Sequence, residues 1–452
     1  MHSRREFLER SLKGSSLFAM GAAVPMFVAD TAQAAQAGKE SVLVVVQLTG
    51  GNDGLNTVVP YEDDEYHKAR PTLGLKKKEI IAIKDGIGFN KSLRGLSELY
   101  QNDSLAIVQG VGYPNPNRSH FESMDVWNTG DPKRKLGNGW LGRGLALLKS
   151  KSTGIPAFHI GDGDLPLALK GSAAGVPSLN TDKPFGLDLG GEFVGKNFSG
   201  HEHDHGFDPE LRSKDHKQPA KSGKRLAARK QLVNDVAKYA PSDDGGLLDF
   251  VKQTSLTTYA SVDRLQKLMK EDFKLPERYR YRRFGGGDDD NSLTFELTLA
   301  ARMIRAGFGT RIFYLTFDGF DTHGSQRATH DGLLGTLAEA IGNFFRELKQ
   351  SGNDKRVLLL TFSEFGRRVK ENGSKGTDHG AGSCLFVAGP SVKTGLVGKH
   401  PSLKRDDLDR GDLKFHTDFR RVYATLLDEW LDCDSRRVFG EKFAPLKLLA
   451  RG

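Results

Sequence analysis

A chain of 452 residues, 37% hydrophobic and 27% charged, has the material for one large core or two smaller ones, and no apolar run in it reaches the ~20 residues that cross a bilayer. Its formal charge of +9 suits an anionic substrate or an acidic cell envelope, and no nucleic-acid-binding module accompanies it. Two cysteines, Cys384 and Cys433, exclude a disulfide framework, and no CxxC or Cys/His zinc spacing is present.

The first 34 residues read as a targeting segment. Ser3-Arg4-Arg5-Glu6-Phe7-Leu8 carries paired arginines, 17–29 is a short apolar stretch, and Ala32-Gln33-Ala34 offers small residues to a signal peptidase. This order resembles a twin-arginine signal, an address read by the twin-arginine export machinery and not a stable membrane anchor. The resemblance implies export after folding, with a periplasmic or secreted destination and a mature domain over 35–452.

Residues 41–48, Ser-Val-Leu-Val-Val-Val-Gln-Leu, form a continuous β-branched run of the kind buried on both faces of a parallel sheet. A glycine-rich loop, Thr49-Gly50-Gly51-Asn52-Asp53-Gly54, follows it. Similar runs at 104–110, 155–160, 311–317, 356–362 and 384–388 predict strands. Helical patterns fall at 93–100, 121–127, 141–148, 293–306, 333–349 and 419–431. Strands alternating with helices predict a doubly wound, mostly parallel α/β sheet flanked by helices, with ligands off the carboxyl ends of its strands. Residues 190–290 differ: they are charged, glycine-rich and basic over 212–230, and read as a helical insertion. His201, His203 and His205 within it have a metal-binding composition that a solvated loop explains as well.

Five segments gather ionisable residues at predicted strand ends. Asp53 follows the first strand, and Asn117-Arg118-Ser119-His120-Phe121-Glu122 opens a helix after the second. Phe317-Asp318-Gly319-Phe320-Asp321-Thr322-His323-Gly324 follows the 311–317 run, with His330 beyond it. Thr361-Phe362-Ser363-Glu364-Phe365-Gly366-Arg367-Arg368 and Gly376-Thr377-Asp378-His379-Gly380 complete the set. Carboxylates and imidazoles suit zinc, manganese or magnesium, and one or two such ions can clamp the oxygens of an anionic ester. A serine at a helix N-terminus beside them is a candidate nucleophile. Bland roles compete at each position: turn chemistry for Asp53, a helix cap for Ser119, a polar loop for Asp321 and His323, and an arginine partner for Glu364.

The order of these segments resembles the family known as domain of unknown function 1501, twin-arginine-exported bacterial proteins placed in the alkaline phosphatase/sulfatase-like superfamily. The pieces that carry the resemblance are Leu48-Thr-Gly-Gly-Asn-Asp-Gly-Leu-Asn56, Arg118-Ser-His-Phe-Glu122, Phe320-Asp-Thr-His323, Thr361-Phe-Ser-Glu-Phe-Gly-Arg367 and Thr377-Asp-His-Gly380. It implies Ser119 as nucleophile with Arg118 and His120 beside it, and Asp53, Asp321, His323, Glu364, Asp378 and His379 as metal ligands. Asp318 or His330 is an alternative within the Asp-and-His segment. The superfamily pattern departs at Phe365, where it places a histidine ligand; His120 is the residue that could make good that loss. The activity implied is hydrolysis of a phosphate or sulfate ester, with Arg118, Arg367 or Arg368 steadying the anion. The alternative is a non-catalytic envelope protein on the same fold that binds an anionic glycan or partner through its basic insertion. No Cys-x-Pro-x-Arg motif of the sulfatase kind is present.

Overall fold

The structure, a computed structural model, describes residues 40–148, 155–161, 164–172, 175–179 and 292–450. The expected signal at 1–34, the insertion at 190–290 and His201, His203 and His205 lie outside the described residues.

A nine-stranded sheet organises these residues: β1 (Val42–Leu48), β2 (Leu105–Gly112), β3 (Ala157–Ile160), β4 (Ser178–Leu179), β5 (Ile312–Phe317), β6 (Val357–Ser363), β7 (Ser383–Ala388), β8 (Gly395–Val397) and β9 (Thr417–Asp418). The order is β8-β2-β7-β6-β1-β5-β3-β4, with β9 paired to β2. Pairing is parallel except on both sides of β7, so β7 alone runs against the rest. Beside it, Val58–Val59, Ile80–Lys84 and Ile87–Asn90 form a small antiparallel sheet that the sequence pattern does not announce. The six expected strands and six expected helices are all present, as the alternation of periods requires.

β1 is central because every side chain in it can be buried. Its seven residues are all inaccessible or nearly so, which needs cover on both faces of the pleat. The helices are α1 (Gly54–Thr57), α2 (Asp64–Ala69), α3 (Arg94–Gln101), α4 (His120–Thr129), α5 (Trp140–Leu145), α6 (Ser292–Arg305), α7 (Gln326–Gln350), α8 (Phe419–Thr425) and α9 (Ser435–Phe439). Leu43 and Val45 of β1 share a core with Trp127, Trp140, Phe419 and Tyr423 from α4, α5 and α8. α7 packs on both α3 and α6 as a further layer. The helix expected over 419–431 continues past α8 as a π-turn, Leu426–Trp430.

Register then positions the loops. Leu48 of β1 pairs with Phe317 of β5 on one side and Ser363 of β6 on the other. The three strands therefore end in line, and the segments 49–53, 318–323 and 364–367 leave the sheet side by side. β2 ends at Gly112 and leads to α4, and antiparallel β7 begins at Ser383 from the same edge.

The Trp127 ring fixes α4 to this edge. It stacks on Phe362 of β6 at 5.3 Å and on Phe419 of α8 at 4.3 Å between centroids. Trp127→Ala is expected to cost about 3–5 kcal/mol in urea unfolding, the range for a deleted core aromatic. A loss under about 1 kcal/mol would show that α4 is held in place by other contacts.

Candidate functional site

The glycine-rich loop after β1 is the floor of the site, and its glycines answer to close approach. Gly50 has φ +114° and a Cβ there would sit 2.3 Å from the Asp321 amide nitrogen. Gly51 has φ +77° and a Cβ would lie 2.4 Å from the Phe365 ring. No other residue accepts both the left-handed backbone and the contact. The Gly50 N–H donates to Glu364 Oε1 at 2.8 Å, so the loops after β1 and β6 are joined at their first residues.

Glu364 is fully buried, and its oxygens are all engaged. Oε1 also accepts from His120 Nδ1 at 2.7 Å, and Oε2 lies 2.9 Å from the Ser363 hydroxyl. Glu364, expected as a ligand, thus stands behind His120 and orients the ring, outside the donor trio. With Nδ1 committed, His120 Nε2 faces Asp321 Oδ2 at 3.6 Å; it is buried and has no hydrogen-bond partner. The hydrogen bond to Glu364 raises the His120 pKa above its ordinary value, against the opposing effect of burial.

His379 is oriented in the same way. Its Nδ1 donates to the Arg118 carbonyl at 2.8 Å, which leaves the Nε2 lone pair facing Asp321 Oδ1 at 3.0 Å. Burial lowers its pKa. Its loop is laced to the 364–368 segment: Gly380 N–H donates to Gly366 O and Arg368 N–H to Asp378 O. His120, Asp321 and His379 each offer a ligand atom within 4.8 Å of the other two, the one such trio among the described residues.

His323 stands at the edge of this trio, its Nε2 2.9 Å from His379 Nε2 and 3.1 Å from Asp321 Oδ1. Its Nδ1 is 3.4 Å from Asp378 Oδ1, so Asp378 lies behind His323 and outside the trio. Burial works against ionisation of Asp321. The hydrogen bond from Arg367 and the charge of its guanidinium overcome it and hold the carboxyl down to about 2. Its stabilising contacts are thus in full force above the ordinary carboxylate value and are lost only as pH falls toward about 2.

Asp53 is elsewhere. Its Oδ2 accepts from Arg70 Nη1 at 2.6 Å and from Gln326 Nε2 at 2.5 Å, and neither ion of the pair is exposed. The carboxylate is joined to a guanidinium that no spacing in the sequence marks, its Oδ1 is buried without a hydrogen-bond partner, and no donor trio among the described residues includes it. His330 is buried against Asn52 Oδ1 at 2.9 Å, and Asp318 is exposed; neither joins the trio.

The three arginines expected to steady an anion are each paired within the protein, but only Arg367 is buried; Arg118 is exposed and Arg368 half-buried. Arg367 is buried and donates to the Gly50, Gly51, Phe320 and Thr377 carbonyls and to Asp321 Oδ1. Arg118 places Nε and Nη2 on Asp412 Oδ2 at 2.9 and 2.5 Å, with Arg368 Nε 3.4 Å from Oδ1 of the same carboxylate. What Arg118 gives the site is its backbone carbonyl. Ser119 is the N-cap residue of α4, but its side chain makes no capping hydrogen bond. The hydroxyl is thus free of the structural role proposed for it, and it lies between Arg118 and His120, both fastened to the trio. Phe365, where the superfamily places a histidine, packs its ring 4.9 Å from His120 and 4.6 Å from His379 as an apolar wall.

Two imidazoles and a carboxylate, with outer nitrogens tied back and an unpartnered inner nitrogen, fit a divalent cation of the zinc or manganese kind. Sequence reasoning missed Arg70, Gln326 and Asp412, whose roles depend on contacts 17 or more positions away.

The family model described as "Protein of unknown function (DUF1501)" matches residues 40–441. No curated protein matches the chain. Among solved structures it is similar to "Ps i-CgsB", at 10% identity and a TM-score of 0.37, with 90% of this chain and 73% of that one covered. The PsFucS1 sulfatase from Pseudoalteromonas sp. shares 12% identity with a TM-score of 0.35, over 86% of this chain and 72% of the other. The lipoteichoic acid synthase LtaP from Listeria monocytogenes shares 9% with a TM-score of 0.33, over 85% and 76%.

Glu364→Gln is expected to lower the His120 pKa in the cation-free protein, as read by NMR titration of the imidazole. A raised folded pKa gives stability that is complete below the unfolded value of 6.5 and fades as pH rises through the folded value. The stability gap between wild type and variant is therefore expected to narrow above that pH. An unmoved imidazole titration would refute the pairing.

Proposed function

This chain belongs to the DUF1501 family, and from the donors its loops bring together we propose that it is a metal-dependent hydrolase of phosphate or sulfate esters, exported by the twin-arginine route and active in the periplasm or outside the cell. The observation that carries this reading is the convergence of His120 Nε2, His379 Nε2 and the Asp321 carboxylate, with each imidazole's Nδ1 held by a partner behind it. A hydrolytic site needs three such donors and an open position. A cation bound there would supply Lewis acidity to an ester oxygen.

The chain's own residues do the rest. His120, His379 and Asp321 hold the cation, Glu364 and the Arg118 carbonyl fix the two rings, and Asp378 steadies His323 at the rim. Ser119 is the candidate nucleophile, its hydroxyl unused by the helix it precedes. The N–H groups of the first turn of α4, not capped by that side chain, favour the non-bridging oxygens of an anionic ester. In the reaction Ser119 Oγ forms a bond to phosphorus or sulfur and gives up its proton, the alcohol leaves with the ester oxygen and gains one, and water then frees the serine.

Export rests on the twin-arginine pattern at 4–5 and the Ala32-Gln33-Ala34 site. Among the described residues no helix is long and apolar enough to cross a membrane.

Elemental mass spectrometry on protein purified without chelator is expected to find bound zinc, manganese or magnesium, and His379→Ala is expected to lose it. Ser119→Ala is expected to keep the metal and the fold but lose at least 100-fold in turnover of aryl phosphate or sulfate esters, the scale of covalent-catalysis losses. A folded, metal-free wild type would overturn the reading, and full activity in Ser119→Ala would remove the serine from it.

A further inference from the structure

We infer that the site takes one divalent cation and not two, with the buried Arg70 guanidinium permanently supplying the positive charge that Asp53 would otherwise take from a second ion. This rests on the metal-dependent reading above and deepens it.

The two carboxylates that the sequence adds to the trio are committed to other partners, Glu364 through both oxygens and Asp53 through one. Glu364 accepts from Gly50 N–H and His120 through Oε1 and meets Ser363 through Oε2. Asp53 Oδ2 holds Arg70 and Gln326. Asp53 Oδ1 is buried and without a hydrogen-bond partner, but no trio of carboxylate, imidazole or thiol donors among the described residues includes it. A cation held there by one protein oxygen would stand beside a guanidinium in a poorly solvated place, where like charges repel strongly.

Arg70 is built in. It follows α2, its side chain is wholly inaccessible, and each of its three nitrogens is used. Nε donates to the Val369 carbonyl at 3.0 Å and Nη2 to the Arg368 carbonyl at 2.9 Å. Nη1 reaches Asp53 Oδ2 at 2.6 Å and Asn56 Oδ1 at 2.8 Å. Tyr66 donates to the same Asn56 oxygen and Thr377 to Gln326 Oε1, so the pair lies inside a continuous buried network. A guanidinium keeps its charge at every working pH and cannot be chelated or exchanged. The charge beneath the glycine loop therefore does not depend on metal supply, whereas the charge within the trio does.

The test is metal stoichiometry on the full chain, by elemental mass spectrometry and by titration of chelator-stripped protein with Zn2+ and with Mn2+. One equivalent is expected. Two equivalents would overturn the one-cation inference and leave the hydrolase reading standing; none would overturn both. A second variant separates the ligands. Asp53→Asn keeps an acceptor for Arg70 and is expected to retain the single equivalent, while Asp321→Asn is expected to weaken Zn2+ binding at least tenfold. Loss of the metal from folded Asp53→Asn would make Asp53 a ligand and refute the proposal. Should Asp53→Asn fail to fold, the wild-type stoichiometry alone decides.

Discussion

The site depends on how one buried guanidinium is satisfied. Arg367 is inaccessible to water, and it donates to the carbonyls of Gly50, Gly51, Phe320 and Thr377 and to Asp321 Oδ1. Removing a charged group from water is costly unless every donor finds an acceptor and a counter-charge stands close by. Here the acceptors come from three loops that are distant in the chain, and the counter-charge is the carboxylate of the donor trio. None of those loops can move alone, because any displacement strands a buried N–H. Asp321 is thereby fixed in rotation: Oδ1 belongs to Arg367 and the histidines beyond it, and Oδ2 is left turned toward His120.

Such a tie needs loops that already start side by side, which is the contribution of the sheet. The parallel register of β5, β1 and β6 sets Phe317, Leu48 and Ser363 in one row. The buried β-branched run of β1 holds that row by burial on both faces, at ~1.5–3 kcal/mol for each large side chain. The antiparallel entry of β7 then brings the His379 segment to the same edge, where it is laced to Arg367 and Arg368. The stack of Trp127 between Phe362 and Phe419 makes α4 continuous with that edge, so His120 arrives there on a rigid element.

This division explains what could be read in the sequence. Hydrophobic period is a local signal, and the six strands and six helices it announces are all found. The donor residues themselves were also legible, because His120, Asp321, His323 and His379 sit in short polar segments at strand ends. Their roles were less so. Glu364 and Asp53 look like ligands by position, and only the fold shows the Glu364 carboxylate held by Gly50 and His120 and one Asp53 oxygen held by Arg70. Arg70 itself carries no marker at all, since a buried ion pair between residues 17 apart through a turn leaves no period in the chain. Ser119 shows the converse: the sequence allows a capping role, and the structure leaves its side chain out of the cap.

The arrangement behind the rings is the argument against a merely polar loop. An imidazole has two nitrogens, and the partner of one decides what the other presents. His120 Nδ1 is held by Glu364, His379 Nδ1 by the Arg118 carbonyl, and His323 Nδ1 faces Asp378. All three rings thus turn Nε2 toward the same carboxylate, Asp321, at distances from 3.0 to 3.6 Å. Surface histidines that only need hydration have no reason to share one orientation, and two of these crowd their Nε2 atoms to 2.9 Å. Acceptor atoms gathered that closely are stable only when a proton or a cation lies among them. With the outer nitrogens held by partners, the inner face gathers the donors that could hold a cation, and Phe365 keeps one wall of it apolar.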